Sequence, residues 1–174
     1  MLKQKNYLIG LMFLAALVLA GCMPHGSTAH WPNIEQVRPL ESKRSLIKRL
    51  AAYEVQVVEQ NDHLRIIIPT DDFFDVDKSA LWISKEPALA LVAKLVLLYG
   101  NTPVFVQGFS DNIENEASNV ERTTRQANDV AAVLWSYGVD QRRLRVKGYG
   151  SKFPIADNKT VQGRWYNYRI EIKV

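Results

Sequence analysis

The feature that most constrains the fold is the segment 103–130, in which a strand pattern runs directly into a polar loop and then into a helix pattern. Residues 103–107 (PVFVQ) are rich in β-branched and aromatic side chains, as is typical of a buried strand. Gly108 follows, and the loop carries Ser110 and Asp111. Residues 123–137 repeat apolar side chains at helical spacing. A strand and a helix joined by so short a loop predict that both pack around one core.

The rest of the chain from residue 41 onward alternates in the same way. The patterns predict a helix at 41–52, a β-hairpin from strands 53–59 and 63–69, an acidic loop at 70–80, a helix at 84–99 capped by Ser84, a strand at 144–147, a loop through Pro154 and Gly163, and a last strand at 167–174. We therefore expect an α/β sandwich, a mixed β-sheet with helices packed on one face.

The N-terminus has the pattern of a secretory signal. Lys3 and Lys5 precede an apolar run at 7–20, which at 14 residues is shorter than the ~20 that a bilayer span needs. Residues 19–22 (LAGC) resemble the bacterial lipobox. The resemblance implies a signal peptide at 1–21, a diacylglyceride and an N-acyl group on Cys22, and, with Met23 next in line, sorting to the outer membrane. Residues 22–40 are rich in proline and glycine and are predicted to be a flexible tether to a domain at 41–174.

Composition argues against several function classes. The 22 basic and 18 acidic residues leave a net charge of +4, and the basic residues are scattered, so no nucleic-acid partner is indicated. His25 and His30 lie in the tether and His63 in a strand, so no Ser/His/Asp set is available and we expect no enzyme. The acidic loop 70–80 lacks the glycine and closing glutamate of a calcium loop, so no metal is expected.

Five sequence pieces, in order, carry a family resemblance. Residues 73–81 (FFDVDKSAL) resemble F-x-F-D-K-x-x-L, 108–111 (GFSD) resemble G-H/Y-T-D, and Asn119, Ala127 and Val130 fit N-x-x-L-S-x-x-R-A-x-x-V. Residues 148–156 (GYGSKFPIA) resemble G-Y-G-x-x-x-P-I-A, and 158–172 (NKTVQGRWYNYRIEI) resemble N-x-T-x-x-G-R-x-x-N-R-R-V-E-I. Together residues 73–174 resemble the OmpA-like domain of peptidoglycan-associated lipoproteins and OmpA C-terminal domains.

That resemblance implies a ligand. In the family, the loop that corresponds to Ser110 and Asp111, with the helix that follows it, binds the diaminopimelate of the peptidoglycan stem peptide. The end of this side chain carries an ammonium and a carboxylate on one carbon. A carboxylate such as Asp111 suits the ammonium, and an arginine suits the carboxylate because it can bond in a bidentate way.

The chain departs from the family at the arginine. Gln126 stands where the family has Arg, and Arg122 stands where it has Leu. Arg125 is adjacent in sequence but ~100° away around a helix. Arg122, four residues before Gln126, faces the same side if the helix extends that far. The alternatives are that Arg122 is a solvated residue and that Gln126 pairs with Thr123 in a capping box.

Asp111 and Asn119 have structural interpretations as well. Asp111 equally fits a turn-forming residue, and Asn119 a cap before the helix. The candidate peptidoglycan-binding residues are therefore Ser110, Asp111, Asn119, Arg122, Arg125 and Gln126.

Two functions remain open. The first is a lipid-anchored outer-membrane protein whose domain binds peptidoglycan non-covalently and anchors the envelope or a secretion complex, without a cofactor. The second is a structural subunit of a type IVB (Dot/Icm) secretion-system core complex with a degenerate peptidoglycan site and other secretion-system subunits as partners, since the layout resembles lipoproteins of those systems.

Overall fold

The computed structural model describes residues 41–75, 77 and 80–174. The signal peptide, the lipidated Cys22 and the tether expected for residues 1–40 lie outside these residues. The helices are α1 Lys43–Ala51, α2 Thr70–Phe73, α3 Glu86–Leu97, α4 Glu116–Ser136 and α5 Val161–Asn167. The strands are β1 Gln56–Gln60, β2 His63–Pro69, β3 Val104–Phe109, β4 Leu144–Gly148 and β5 Arg169–Lys173.

The five strands form one mixed sheet in the order β1-β2-β5-β3-β4. The pairs β1/β2, β2/β5 and β3/β5 are antiparallel, and β3/β4 is parallel. A parallel pair needs a crossover connection, which α4 supplies between β3 and β4. The prediction of a mixed sheet is confirmed.

Helix α4 packs against β3 and β4, α1 packs against β1, and α3 packs against α1 and α4. Their buried side chains form one hydrophobic cluster with those of the sheet. On β5 the fully buried Ile170 and Ile172 face the helices, and because side chains alternate along a strand, Arg169 and Glu171 belong to the opposite face. Most of α3 is buried, which fits its nearly continuous apolar sequence. One face of the sheet therefore carries the hydrophobic core, as expected from the sequence.

Two glycines let α4 lie close to the sheet at the end where the site forms. A Cβ on Gly108 of β3 would overlap the carbonyl oxygen of Thr123, and a Cβ on Gly148 of β4 would overlap the hydroxyl of Thr124. Both strands thus touch the middle of α4 directly. The register of α4 against the sheet is set there, and with it the direction of the side chains on its first two turns.

Two helical assignments from the sequence were wrong. Helix α4 begins at Glu116, not near Thr123, because Asn115 caps it: its side-chain oxygen accepts a hydrogen bond from the Ser118 amide at 2.9 Å. Its first turns bury polar residues, which an apolar pattern does not reveal. Helix α5 replaces part of the expected loop and begins after Thr160, whose hydroxyl accepts from the Gly163 amide at 2.9 Å.

Smaller differences occur elsewhere. Ser84 lies in a 3₁₀ turn at Ile83–Lys85 and is not the cap of α3, which follows Lys85 without a side-chain cap. The acidic loop contains the short helix α2. In the described part of the chain, no helix combines the length and the hydropathy that crossing a membrane requires.

Candidate functional site

The site begins where β3 ends. Ser110 and Asp111 follow Phe109 directly, and both are buried. The Ser110 amide donates to the Gly150 carbonyl at 2.8 Å, and the Tyr149 amide donates to the Gly108 carbonyl at 2.8 Å. Because β3 and β4 are parallel, their carboxyl ends meet at one edge of the sheet, and these bonds tie the two following loops together there.

The Asp111 carboxylate is the centre of the site. Only 1% of the residue is exposed. One oxygen accepts from the Tyr168 hydroxyl at 2.9 Å and from the Ile113 amide at 3.1 Å, and the other lies 3.8 Å from Nε of Arg164. The bond to Ile113 is the turn expected of an aspartate here. The contacts with Tyr168 and Arg164 go further, because they bring the end of α5 and the residue after it to this carboxylate.

Burial raises the pKa of the Tyr168 hydroxyl, and its hydrogen bond to the Asp111 carboxylate raises that pKa further. Tyr168 therefore stays protonated and donates to Asp111 at physiological pH. The hydroxyl fixes one carboxylate oxygen in place. The Asp111 carboxylate is thus held at one oxygen by the neutral donors of Tyr168 and Ile113, and the Arg164 guanidinium lies near the other oxygen.

Asn119 lies within α4 and holds the loop. Its side-chain amide donates to the carbonyls of Asp111 at 3.2 Å and Glu114 at 3.1 Å. The residue is completely buried. Asn115, not Asn119, caps the helix, so the interpretation of Asn119 as a cap was wrong. Asn119 instead fixes the shape of the loop around Asp111.

Arg122 points into the site. One guanidinium nitrogen donates to the Asn119 side-chain oxygen at 2.6 Å and the other bonds to Glu114 at 2.5 Å. The guanidinium carbon lies 5.6 Å from the centre of the Tyr168 ring. Only 11% of the Arg122 side chain is exposed, and its Nε is buried without a hydrogen-bond partner in the described part of the chain. A solvated Arg122 is therefore not what the structure shows.

The other candidates on α4 lie elsewhere. Arg125 is exposed, and it acts on Asp129, whose pKa burial raises and Arg125 lowers. Gln126 is 1% exposed and lies one turn beyond Arg122. The Thr123 hydroxyl donates to the Asn119 carbonyl at 2.8 Å and accepts from the Gly150 amide at 3.1 Å. A capping box between Thr123 and Gln126 is excluded, because both lie inside the helix.

Sequence reasoning did not single out three residues at this site: Glu114, Arg164 and Tyr168. Arg164 also donates to the Asn158 carbonyl at 3.1 Å. Arg164 belongs to the closing motif, in which Gly163 and Arg164 follow the Thr160 cap. That motif was the sequence signal that could have identified Arg164 as a site residue. Tyr168 stands where the closing motif has the first arginine of N-R-R, and no sequence signal placed it beside Asp111, 57 residues away.

The site combines acidic and basic side chains. Two carboxylates, Asp111 and Glu114, face two guanidiniums, Arg122 and Arg164. Such a set can bind a group that carries an ammonium and a carboxylate together. Among the residues described, no group of three or more His, Cys, Asp or Glu side chains could hold a metal ion.

Comparison with known proteins agrees with this fold. Outer membrane protein A of Bordetella avium is 36% identical over 110 residues, covering 63% of this chain and 57% of that protein. The probable lipoprotein YiaD of Escherichia coli is 32% identical over 118 residues, covering 68% of this chain and 54% of that protein. The chain thus matches about half the length of these relatives.

A solved structure agrees as well. The cell wall anchor of the T6SS from Pseudomonas aeruginosa superposes with a TM-score of 0.66 at 25% identity, covering 77% of this chain and 96% of that one. The sequence profile of the OmpA family matches residues 73–168, which is more than half of the chain and includes every site residue described above. The chain therefore belongs to the OmpA family.

Proposed function

We propose that this protein is a lipid-anchored outer-membrane protein whose OmpA-like domain binds peptidoglycan non-covalently, through the diaminopimelate of the stem peptide. The observation that carries the proposal is the buried Asp111 carboxylate, with the Arg164 guanidinium 3.8 Å from it and the Arg122 guanidinium over the ring of Tyr168, which donates to it. A carbon that bears an ammonium and a carboxylate is complementary to this set. The function is binding, and it requires no catalytic group.

Each residue has a distinct role in this proposal. Asp111 accepts hydrogen bonds from the ligand ammonium, and Asn119 and Ser110 hold the loop that presents it. Arg122 and Arg164 bind the ligand carboxylate. Arg122 thereby supplies the charge that the family places at position 126, where this chain has Gln126. Burial of the Arg122 Nε without a partner supports this role, since an unpaired buried donor is costly unless a ligand satisfies it.

The N-terminal sequence and the matched relatives support the proposed lipid anchor and the outer-membrane location. The matched relatives include an outer membrane protein and a probable lipoprotein. The lipobox at residues 19–22 predicts acylation of Cys22. Two or more acyl chains give stable membrane attachment. The domain would then face the periplasm, with the tether 22–40 spanning the distance to the wall.

Sedimentation with purified sacculi tests the proposal. The wild-type protein is expected to pellet with diaminopimelate-type sacculi, and Asp111→Ala to remain in the supernatant. Asp62→Ala is the matched control, because Asp62 is exposed in the β1–β2 turn at the edge of the sheet. Binding by Asp111→Ala equal to that of the wild type, or no binding by the wild type at low salt, would refute the proposal.

The second candidate is a structural subunit of an envelope secretion complex, such as a type IVB core, with a degenerate peptidoglycan site. It is favoured by Gln126, a buried neutral residue where the family has its arginine. It is favoured also by the similarity to the cell wall anchor of another secretion system. Size-exclusion chromatography of the protein gently extracted from native membranes separates the two: a stable high-mass complex supports this candidate, and a free monomer contradicts it.

A further inference from the structure

The face of the sheet opposite the helices is strongly basic. Paired residues on neighbouring strands share a face, so the registers identify its side chains. Its charged residues on the strands are Arg65 of β2, Arg169, Glu171 and Lys173 of β5, and Arg145 and Lys147 of β4. Five of these six are cationic. None of the helices α1, α3 and α4 covers them, since those helices pack on the other face.

One carboxylate serves three of these cations. Glu171 bonds to Arg65, to Arg169 at 2.7 Å and to Lys173 at 3.0 Å. The Arg65 and Lys173 side chains are still 40% and 45% exposed. This cluster therefore has more positive charge than its own carboxylate can neutralise.

The two cations of β4 are not neutralised either. Among the described residues, Arg145 bonds only to the carbonyls of Arg142 and Leu144, and Lys147 lies 4.8 Å from the centre of the Tyr149 ring. Neither forms a salt bridge with a residue that the structure describes. Both are exposed, two residues apart on an edge strand.

The face is also concave. Two depressions of about 480 and 430 Å³ adjoin each other and share Arg65 and Lys173 in their linings. Exposed apolar side chains stand at both ends: Val58 and Phe105 at one, and Phe153 and Ile155 at the other. The result is a trough with Arg65 and Lys173 in its middle and apolar groups at its ends. Arg145 and Lys147 lie beside it on the same face of the sheet, on β4, with β3 between them and β5.

We propose that this trough binds an extended acidic peptide segment of a partner protein. Residues two apart in a strand are ~6.6 Å apart on one face, which is also the spacing of alternate side chains in an extended peptide. Carboxylates at every second position of the partner would therefore meet Arg145 and Lys147 in register. Arg65 and Lys173, which are paired across β2 and β5 and partly exposed, would attract further carboxylates of the segment. Apolar side chains near the ends of the segment would contact Phe105 and Ile155.

The two aromatic rings in the middle of this face do not favour a ligand that stacks. Phe109 stacks on Tyr149 with ring centres 5.2 Å apart, and the Arg169 guanidinium lies 4.0 Å from the Phe109 centre. Binding of bases requires free ring faces, and these are already in contact. The proposal is independent of peptidoglycan binding, because none of these residues touches Asp111.

Fluorescence anisotropy with a labelled peptide, Phe-Ser-Glu-Ser-Glu-Ser-Leu, whose apolar ends and two glutamates share one face when extended, tests the proposal on the purified full chain. The wild type is expected to bind this peptide in low salt and to show no binding of the peptide in which lysine replaces each glutamate. The double variant Arg145→Glu/Lys147→Glu should bind at least 10-fold more weakly. The matched double variant Arg44→Glu/Lys48→Glu, which makes the same charge change on exposed positions of α1, should bind within about two-fold of wild type.

Several results would overturn the proposal. Equal losses in the two double variants would show that net charge, and not this face, attracts the peptide. Tighter binding of a single-stranded oligonucleotide or of a muropeptide, lost in the β4 variant, would assign the face to those ligands. Concentration-dependent self-association abolished by the β4 variant would assign it to a second copy of this chain. Unchanged peptide binding by Asp111→Ala is expected, so failure here is distinguishable from failure of the wall-binding proposal.

Discussion

Moving the arginine of the site one turn along α4 gives the sharpest prediction. Arg122→Leu removes a guanidinium that bonds to Asn119 at 2.6 Å and to Glu114 at 2.5 Å. If a ligand carboxylate takes the place of Glu114, the loss is that of a charge-assisted hydrogen bond, ~1.5–3 kcal/mol. The dissociation constant should rise about 10- to 150-fold. The double variant Arg122→Leu/Gln126→Arg restores the residues that the family has at both positions and should regain most of this affinity.

Isothermal titration with a diaminopimelate-containing muropeptide measures these constants. A muropeptide with lysine in place of diaminopimelate lacks the side-chain carboxylate, so the wild-type preference for diaminopimelate should shrink in Arg122→Leu to what Arg164 alone supports. Arg125→Leu is the matched control, since Arg125 is exposed on the same helix and should bind as the wild type does. Circular dichroism checks that each variant is folded.

Two outcomes would refute the reasoning. Wild-type affinity in Arg122→Leu would mean that this guanidinium does not bind the ligand. A double variant no better than Arg122→Leu would mean that position 126 does not reach the same carboxylate and that the two positions are not equivalent.

Three further predictions concern Glu114, which bonds to Arg122, Glu171 in the sheet, and Gly148, which touches α4. Glu114→Gln should tighten muropeptide binding about two- to five-fold in the same titration, because the Glu114 carboxylate competes for Arg122; weaker binding would contradict this. Burial raises the pKa of Glu171, but its three cations outweigh that and hold it at about 2, below the ordinary 4.5. The contribution of ionised Glu171 to the free energy of unfolding is therefore complete above pH 4.5 and is lost as the pH falls toward 2, ~3 kcal/mol in all. Urea unfolding at a series of pH values should show that loss in the wild type and not in Glu171→Gln. Gly148→Ala should lower the free energy of unfolding by ~1–3 kcal/mol, since the new methyl overlaps Thr124, and an unchanged melting temperature would exclude that close approach.

Much of the architecture could be predicted from local patterns. Alternating Ile170 and Ile172 indicated a strand with one buried face, and the apolar run of α3 indicated a helix buried on most sides. Both are short-range signals that depend on side-chain spacing alone. The start of α4 was missed because its buried face there consists of Asn119 and Thr123, whose polar side chains make hydrogen bonds to the backbone.

The candidate site was predictable only in part. Asp111 and Asn119 were found from motif spacing, and the structure brings them together with Arg122 through a loop and one helical turn. Arg164 and Tyr168 could not be placed there, because their approach to Asp111 depends on α5 and on the position of β5 beside β3.

The sequence by itself determined the class of fold, the family and the presence of an acceptor carboxylate at Asp111, because these depend on periodicity and on residues close together in the chain. Only the tertiary structure decided which arginine belongs to the site. Arg122 reaches Asn119 and the Tyr168 ring, both of which bond to Asp111, because Asn115 starts α4 early. Gly108 and Gly148 set the register of α4 against the sheet. A side chain on a helix takes its direction from that register, and the register is set by contacts between residues far apart in sequence.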